Sequence, residues 1–234
     1  MNEVEPRLPP AAGFWRRYAA WSLDFTVLGA LATALAWSPL QAGWRALGVG
    51  AAQLSARAGQ AMADALMSGT SPQALSQSLL HDPGLHAAAA AVQAGLGQML
   101  WPWLLAYALL AAAWHVGGEL SRWRGSPGKR ALRLVVVDLA GAPPTPVRAA
   151  ARHAAAALSW LSLNLGHALA ALPPQKRALH DYIAGTRVAC DGDDLRMPGW
   201  ASAWIALQVS AGVALVAWLL LRYVAALQAA TLAG

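Results

Sequence analysis

Asp24 is a carboxylate placed where apolar sequence should exclude one. It lies seven residues into the run Tyr18–Trp37, which carries no other charge. A charge near the centre of a membrane helix costs at least ~2.5–3.5 kcal/mol on insertion scales, so its presence needs a reason. One reason is chemical. A desolvated carboxyl can alternate between protonated and ionised forms, and so can carry protons or small cations. The other is structural: an aspartate facing a bundle can be tied by hydrogen bonds to a neighbouring helix.

Arg17 precedes Asp24 by seven residues, nearly two helical turns, so the two share a face. Side chains on a helix lean toward its N-terminus. Arg17 therefore leans away from Asp24, across a rise of about 10 Å. It is expected to meet a carboxylate from another element, and Asp181 is the natural candidate. The plainer alternatives are a snorkelling, orientation-setting Arg17 and an Asp181 that fixes the Gly185 turn through backbone bonds. Weaker candidates follow. His115 and Glu119, four apart, could extend a proton path from Asp24 or simply lie at the interface. Asn164 and His167 could line a cavity or mark where a segment leaves the membrane. His180-Asp181 has no third ligand nearby in sequence, so no metal is expected. Ser126-Pro127-Gly128-Lys129 lacks phosphate-loop spacing and reads as a solvated basic loop beside lipid headgroups. No Ser/His/Asp or Cys/His arrangement suggests an enzyme, and no cofactor is implied.

The elements that must position these residues are membrane elements. Of 234 residues, 57% are hydrophobic and 12% charged, against about 25% charged in soluble domains. Trp, which favours the membrane–water boundary, occurs 12 times. The net charge of +6 sits between apolar runs, which points to anionic lipid headgroups rather than nucleic acid. The single cysteine, Cys190, excludes an internal disulfide.

Residues 1–12 read as a flexible tail. Three runs are long enough to span: Tyr18–Trp37, Leu96–Gly118 and Trp200–Leu221. Pro102 falls where a first helical turn would tolerate it. Between the first two runs, 38–97 reads as an extracytoplasmic helical insert. Leu47, Leu54, Ala58, Met62 and Leu66 recur at helical spacing, Ser71-Pro72 starts a helix and Asp82-Pro83-Gly84 turns. Two strand-like pieces, Leu132–Asp138 and Thr186–Cys190, flank a third apolar stretch, Ala154–Leu172. If that stretch crossed the bilayer, the strands would be separated, and lone strands leave backbone groups unpaired. A re-entrant or interfacial segment is favoured over a spanning one. Lys and Arg placement puts the N-terminus, 119–153 and 173–198 in the cytoplasm. The fold class expected is an all-α integral membrane protein of the cell membrane. It has three transmembrane helices, one re-entrant or interfacial segment and a small cytoplasmic two-strand element. A linker and the C-terminal helix occupy 191–234.

Three motifs resemble one family. Gly13-Phe14-Trp15-Arg16-Arg17-Tyr18-Ala19-Ala20-Trp21-Ser22-Leu23-Asp24 is similar to the opening of the RDD membrane proteins, named for one arginine and two aspartates. Ser126-Pro127-Gly128-Lys129-Arg130 before a strand ending in Val137-Asp138, and Leu179-His180-Asp181-Tyr182-Ile183-Ala184-Gly185-Thr186, resemble its later segments. The resemblance covers residues 13–190 and implies that the named residues are Arg17, Asp24 and Asp181. It implies a candidate transporter, with cation/proton antiport suggested for some members. The functional expectation is transport of protons or small cations through Asp24, in an oligomer because three or four helices make a thin wall. The alternative is a protein that assembles with other membrane proteins without transporting anything.

Overall fold

The computed structural model describes residues 8–161, 164–172, 174–192 and 194–232. The first seven residues of the expected tail, and Ser162 of the third apolar stretch, lie outside the described residues. The chain forms two compact units. One comprises Met1–Phe25 with Ala112–Gly234, the other Thr26–Ala111. Among the described residues three helices are long and apolar enough to cross a membrane: α1 (Phe14–Leu35), α4 (Pro83–Leu120) and the Gly199–Ala225 part of α9 (Gly199–Leu232). The second and third of the runs expected from sequence lie inside α4 and α9; the first, Tyr18–Trp37, overruns α1, which ends at Leu35, and its Trp37 begins α2.

The Thr26–Ala111 unit holds α2 (Trp37–Ser68) and α3 (Pro72–His81), with parts of α1 and α4. Gly69 at φ 66° ends α2, and Ser71 caps α3 by accepting the Ala74 N–H, with Pro72 in its first turn. The helix start read at Ser71-Pro72 is therefore present. Small residues let α2 and α4 approach closely. A Cβ added to Gly43 would come within 2.7 Å of the Gly95 carbonyl, and one added to Gly50 within 2.9 Å of the Val92 nitrogen. Two readings need correction. Pro102 lies well inside α4, because the alanine-rich stretch before Leu96 continues the helix upstream to Pro83. Of the expected apolar stripe, Met62 and Leu66 are exposed, at 56% and 84%, so the stripe is not covered along its whole length.

The other unit is built around a two-stranded antiparallel sheet. Strand β1 (Leu134–Asp138) pairs with β2 (Thr186–Cys190), with Val136 opposite Val188. β-branched residues favour the pleated surface. Leu134, Val136, Val188 and Cys190 form one buried face with Ala19 and Ala20 of α1 and Ala201 of α9. Val135, Val137 and Ala189 form the other. The far edge of β2 is occupied by the expected tail. Ala12 donates to the Val188 carbonyl (3.0 Å) and Cys190 to that of Pro10 (2.8 Å). Residues 10–12 are thus held by backbone bonds, a pairing invisible in their proline-rich sequence.

Helix α5 (Pro127–Ala131) leads into β1, and between the strands run α6 (Pro146–Leu161), α7 (Leu165–Ala168) with a 3-10 turn at Leu169–Ala171, and α8 (Leu179–Ala184). Asn164 adopts a left-handed conformation (φ 66°), and its own N–H returns to the Ser159 carbonyl. The third apolar stretch is therefore broken, and α7 folds back: a Cβ on Gly166 would strike the Ser159 hydroxyl. A polar cluster joins α1 to α9. The Ser22 hydroxyl accepts from Trp204 Nε1 (3.0 Å) and Gln208 Nε2 (3.3 Å), and Tyr18 donates to Gln208 (3.0 Å). Such bonds hold membrane helices together where lipid removes the hydrophobic drive.

The Val136 N–H points away from β2 to the Arg124 carbonyl, at 2.6 Å. Val136→Pro would remove this donor, leave a carbonyl unpaired and place a ring at a fully buried position. The expected outcome is a loss of about 1–3 kcal/mol, read as a lower melting temperature in detergent. An unchanged melt would show that this bond contributes nothing.

Candidate functional site

Asp24 is 2% exposed, and both its oxygens are occupied. Oδ1 accepts the Trp114 indole N–H from α4 (2.8 Å) and the Gly128 backbone N–H from α5 (2.8 Å). Oδ2 faces the Ser126 hydroxyl at 2.5 Å. Gly128 is required at this contact. A Cβ there would collide with the Ala20 carbonyl and lie 2.8 Å from the Asp24 carboxyl carbon. The Ser126–Lys129 segment is therefore not the solvated loop expected. Ser126 and Gly128 are buried because they carry the donors that Asp24 needs.

Arg17 and Asp181 meet, Nη2 to Oδ2, at 2.5 Å. The helical lean that turned Arg17 from Asp24 delivers it to α8. Asp181 is fully buried. Its Oδ2 also accepts the Ala178 N–H, so its local task is to cap the start of α8. The Gly185 turn at the other end closes through its own N–H to the Tyr182 carbonyl. The second oxygen of Asp181 faces Arg152 Nη2 at 3.1 Å. Arg152 Nε lies 3.6 Å from Glu119, and the same Glu119 oxygen accepts Lys129 Nζ at 2.6 Å. Lys129 adjoins Gly128, and the Asp24 charge acts on it. The order Arg17, Asp181, Arg152, Glu119, Lys129, Asp24 alternates in sign and sums to zero.

Burial and charge oppose each other throughout. Burial lowers the Lys129 pKa, while Glu119 and Asp24 act the other way and Arg152 with burial. For Asp181, desolvation would raise the pKa. Arg152 and Arg17 outweigh it and hold the carboxyl well below the usual carboxylate range. His180 Nε2 lies 3.1 Å from Arg152 Nη2. A guanidinium can only donate, so His180 is the neutral tautomer protonated on Nδ1. Burial first, and Arg152 second, hold its pKa well below the ordinary value.

The remaining candidates separate. His115 stacks on His153 of α6 with ring centroids 5.9 Å apart, and Glu119 sits within the network. His167 packs its ring 5.1 Å from His180. Asn164 is exposed and forms the turn, apart from the charges. Sequence reasoning passed over Arg152, Lys129, Ser126 and Trp114. It also missed Arg16, which is buried and donates to the carbonyls of Leu132 and Asp194, both at 2.9 Å. Among the described residues no group of three or more His, Cys, Asp or Glu is placed to hold a metal.

The sequence model of the RDD family matches residues 11–185, three quarters of the chain. This chain belongs to the RDD family. The matched span includes all six members of the charge network and ends at Gly185, before α9 begins. Among these six are the arginine and two aspartates named by the resemblance, set in two places. Arg17 and Asp181 form one ion pair, and Asp24 is held by α4 and α5. No curated protein and no solved structure matches the chain.

Two outcomes follow for the RDD network. Arg152→Met leaves Asp181 and Glu119 short of a buried partner, and breaking such a pair costs about 3–5 kcal/mol. Melting in detergent should fall accordingly, and a loss below about 1 kcal/mol would show that Arg152 is not the link. The second outcome is pH dependence. The unfolded chain protonates His180 near the ordinary pKa of about 6.5, and the folded chain does not. The unfolded state then binds more protons, so stability is lost as pH falls below about 6.5. His180→Gln should flatten this slope by one proton, and an unaltered slope would contradict the assignment.

Proposed function

We propose that this RDD membrane protein moves protons against small cations, in the manner of an antiporter, with the buried charge network as the part that changes protonation. One observation supports this most: Arg17, Asp181, Arg152, Glu119 and Lys129 form a largely buried run of ion pairs alternating in sign, and Asp24 is bound by the backbone N–H of Gly128, the residue before Lys129. Arginines keep their protons at any physiological pH. The arginines also hold Asp181 ionised, so the groups left to change are Lys129, Glu119 and Asp24. A neutral network that gains or loses one proton becomes charged in a low-dielectric site, and a small cation moving the opposite way would restore neutrality.

Orientation in this reading follows the basic residues. The N-terminus and the sheet unit are cytoplasmic, and 38–97 faces outside. The exposed cations of the sheet unit then meet anionic headgroups. Three membrane helices make a thin wall, so transport would take place in a homo-oligomer.

A second reading is favoured by the environment of Asp24 itself. Donors occupy both oxygens, as suits an anchor that fastens α5 to α1 and α4. The protein would then assemble with other membrane proteins and transport nothing.

Asp24→Asn separates the two. The amide oxygen can still accept from Trp114 and Gly128, and the amide nitrogen can donate to the Ser126 hydroxyl. The fold should survive at a cost of about 1.5–3 kcal/mol for the lost charged bonds, while titration is abolished. In vesicles carrying a pH dye, Asp24→Asn should lose proton flux, and Asp24→Glu should keep part of it with a shifted pH optimum. Absence of any proton or cation flux in the wild-type protein, under every gradient, would end the transport reading in favour of assembly.

A further inference from the structure

Helix α6 has its polarity reversed. The inward positions Ala149, Arg152, Ala155 and Ser159 are buried, and they include a guanidinium and a hydroxyl. The outward positions Val147, Ala150, Ala154, Ala157 and Leu158 are exposed and wholly aliphatic. A helix against water shows the opposite arrangement, with its polar residues outside. The pattern continues past the Asn164 turn. Gly166 and Ala170 are buried, while Leu165, Leu169 and Leu172 are exposed, at 68%, 37% and 60%. Between Ala149 and Gln175 the only formally charged side chain is Arg152, and it is turned inward to Glu119 and Asp181.

We propose that the outward face of α6 and α7 lies in the acyl region of one bilayer leaflet, so that lipid closes the outer side of the charge network. From Ala149 to Leu161 the helix rises about 20 Å, short of the roughly 30 Å hydrocarbon core. The left-handed turn at Asn164 then sends the chain back. The segment enters and leaves through the same leaflet, which also lets β1 and β2 pair on one side. Lipid fits this face better than a protein partner does. Its described positions offer Ala, Val and Leu, and none of the Trp, Tyr or Arg anchors on which protein interfaces concentrate their energy. Cations stand near both ends of the aliphatic stretch, exposed Arg148 directly after Val147 and Lys176 beyond Leu172, where phosphate headgroups would meet them.

The test places one nitroxide label at a time on Ala154, Leu158, Leu165 or Leu169 in a Cys190→Ser background. The protein is reconstituted in phosphatidylethanolamine–phosphatidylglycerol bilayers, and each label is compared with one at exposed Ser76 on α3. Labels whose proteins melt like the wild type are read for collision with dissolved oxygen and with a water-soluble nickel chelate. All four should show frequent oxygen collision and loss of nickel collision relative to Ser76. Nickel collision equal to that at Ser76 would overturn the proposal by placing the face in water. Loss of both collisions would overturn it by showing that protein, including a second copy of this chain, covers the face.

Discussion

A carboxylate taken out of water needs donors or an opposite charge beside it, and Asp24 obtains its donors from elements far apart in sequence. Trp114 comes from α4, and Ser126 and Gly128 come from the segment opening α5. Meeting that requirement fixes where α5 sits against α1. It also places Lys129, the next residue, where it can neutralise Glu119. Glu119 then holds one side of Arg152, and Arg152 holds one oxygen of Asp181. Each buried charge is tolerable only because the next one is present, since an ion left alone in such a place costs several kcal/mol. The register of α6 against α8 and the approach of α8 to α1 both follow from this alternation.

The same arrangement ties the elements of the sheet unit to one another. Arg17 and Arg152 grip Asp181 at the start of α8, and Gly185 ends that helix and feeds β2. The strand pairs with β1, which leads back through α5 to Asp24. The circuit closes on itself, so a disturbance at any carboxylate should reach the others. Such closure suits a transporter that must register one proton, and it suits equally an assembly platform that must keep its shape.

Much of the fold was legible because its signals are local. Apolar runs of membrane length, the Ser71-Pro72 helix start, the Gly185 stop and the β-branched run before Asp138 each report on their own residues. The Arg17–Asp181 pair was legible too, through the lean of side chains on a helix. Arg152 was not. It stands in an alanine-rich stretch and is one of the seven Lys and Arg residues of 119–153, and nothing in that stretch marks it as the one turned inward. Lys129 and Ser126 looked like surface loop for the same reason: their partners lie on α1 and α4, and sequence spacing carries no information about that. Pro102 misled because a proline reads as a helix start, whereas the alanine-rich run before it extends α4 well upstream.

The central claim is that the six charges act as one coupled unit, and a double-mutant cycle tests it most directly. Glu119→Gln and Asp181→Asn are nearly isosteric, and the two carboxylates share Arg152 without touching each other. Melting or denaturant unfolding of both single variants and the double variant gives their interaction energy. The account predicts a coupling of about 0.5–3 kcal/mol carried through Arg152. Effects that add to within about 0.3–0.5 kcal/mol would mean that the two carboxylates are independent, and the network would be no more than a set of neighbouring ion pairs.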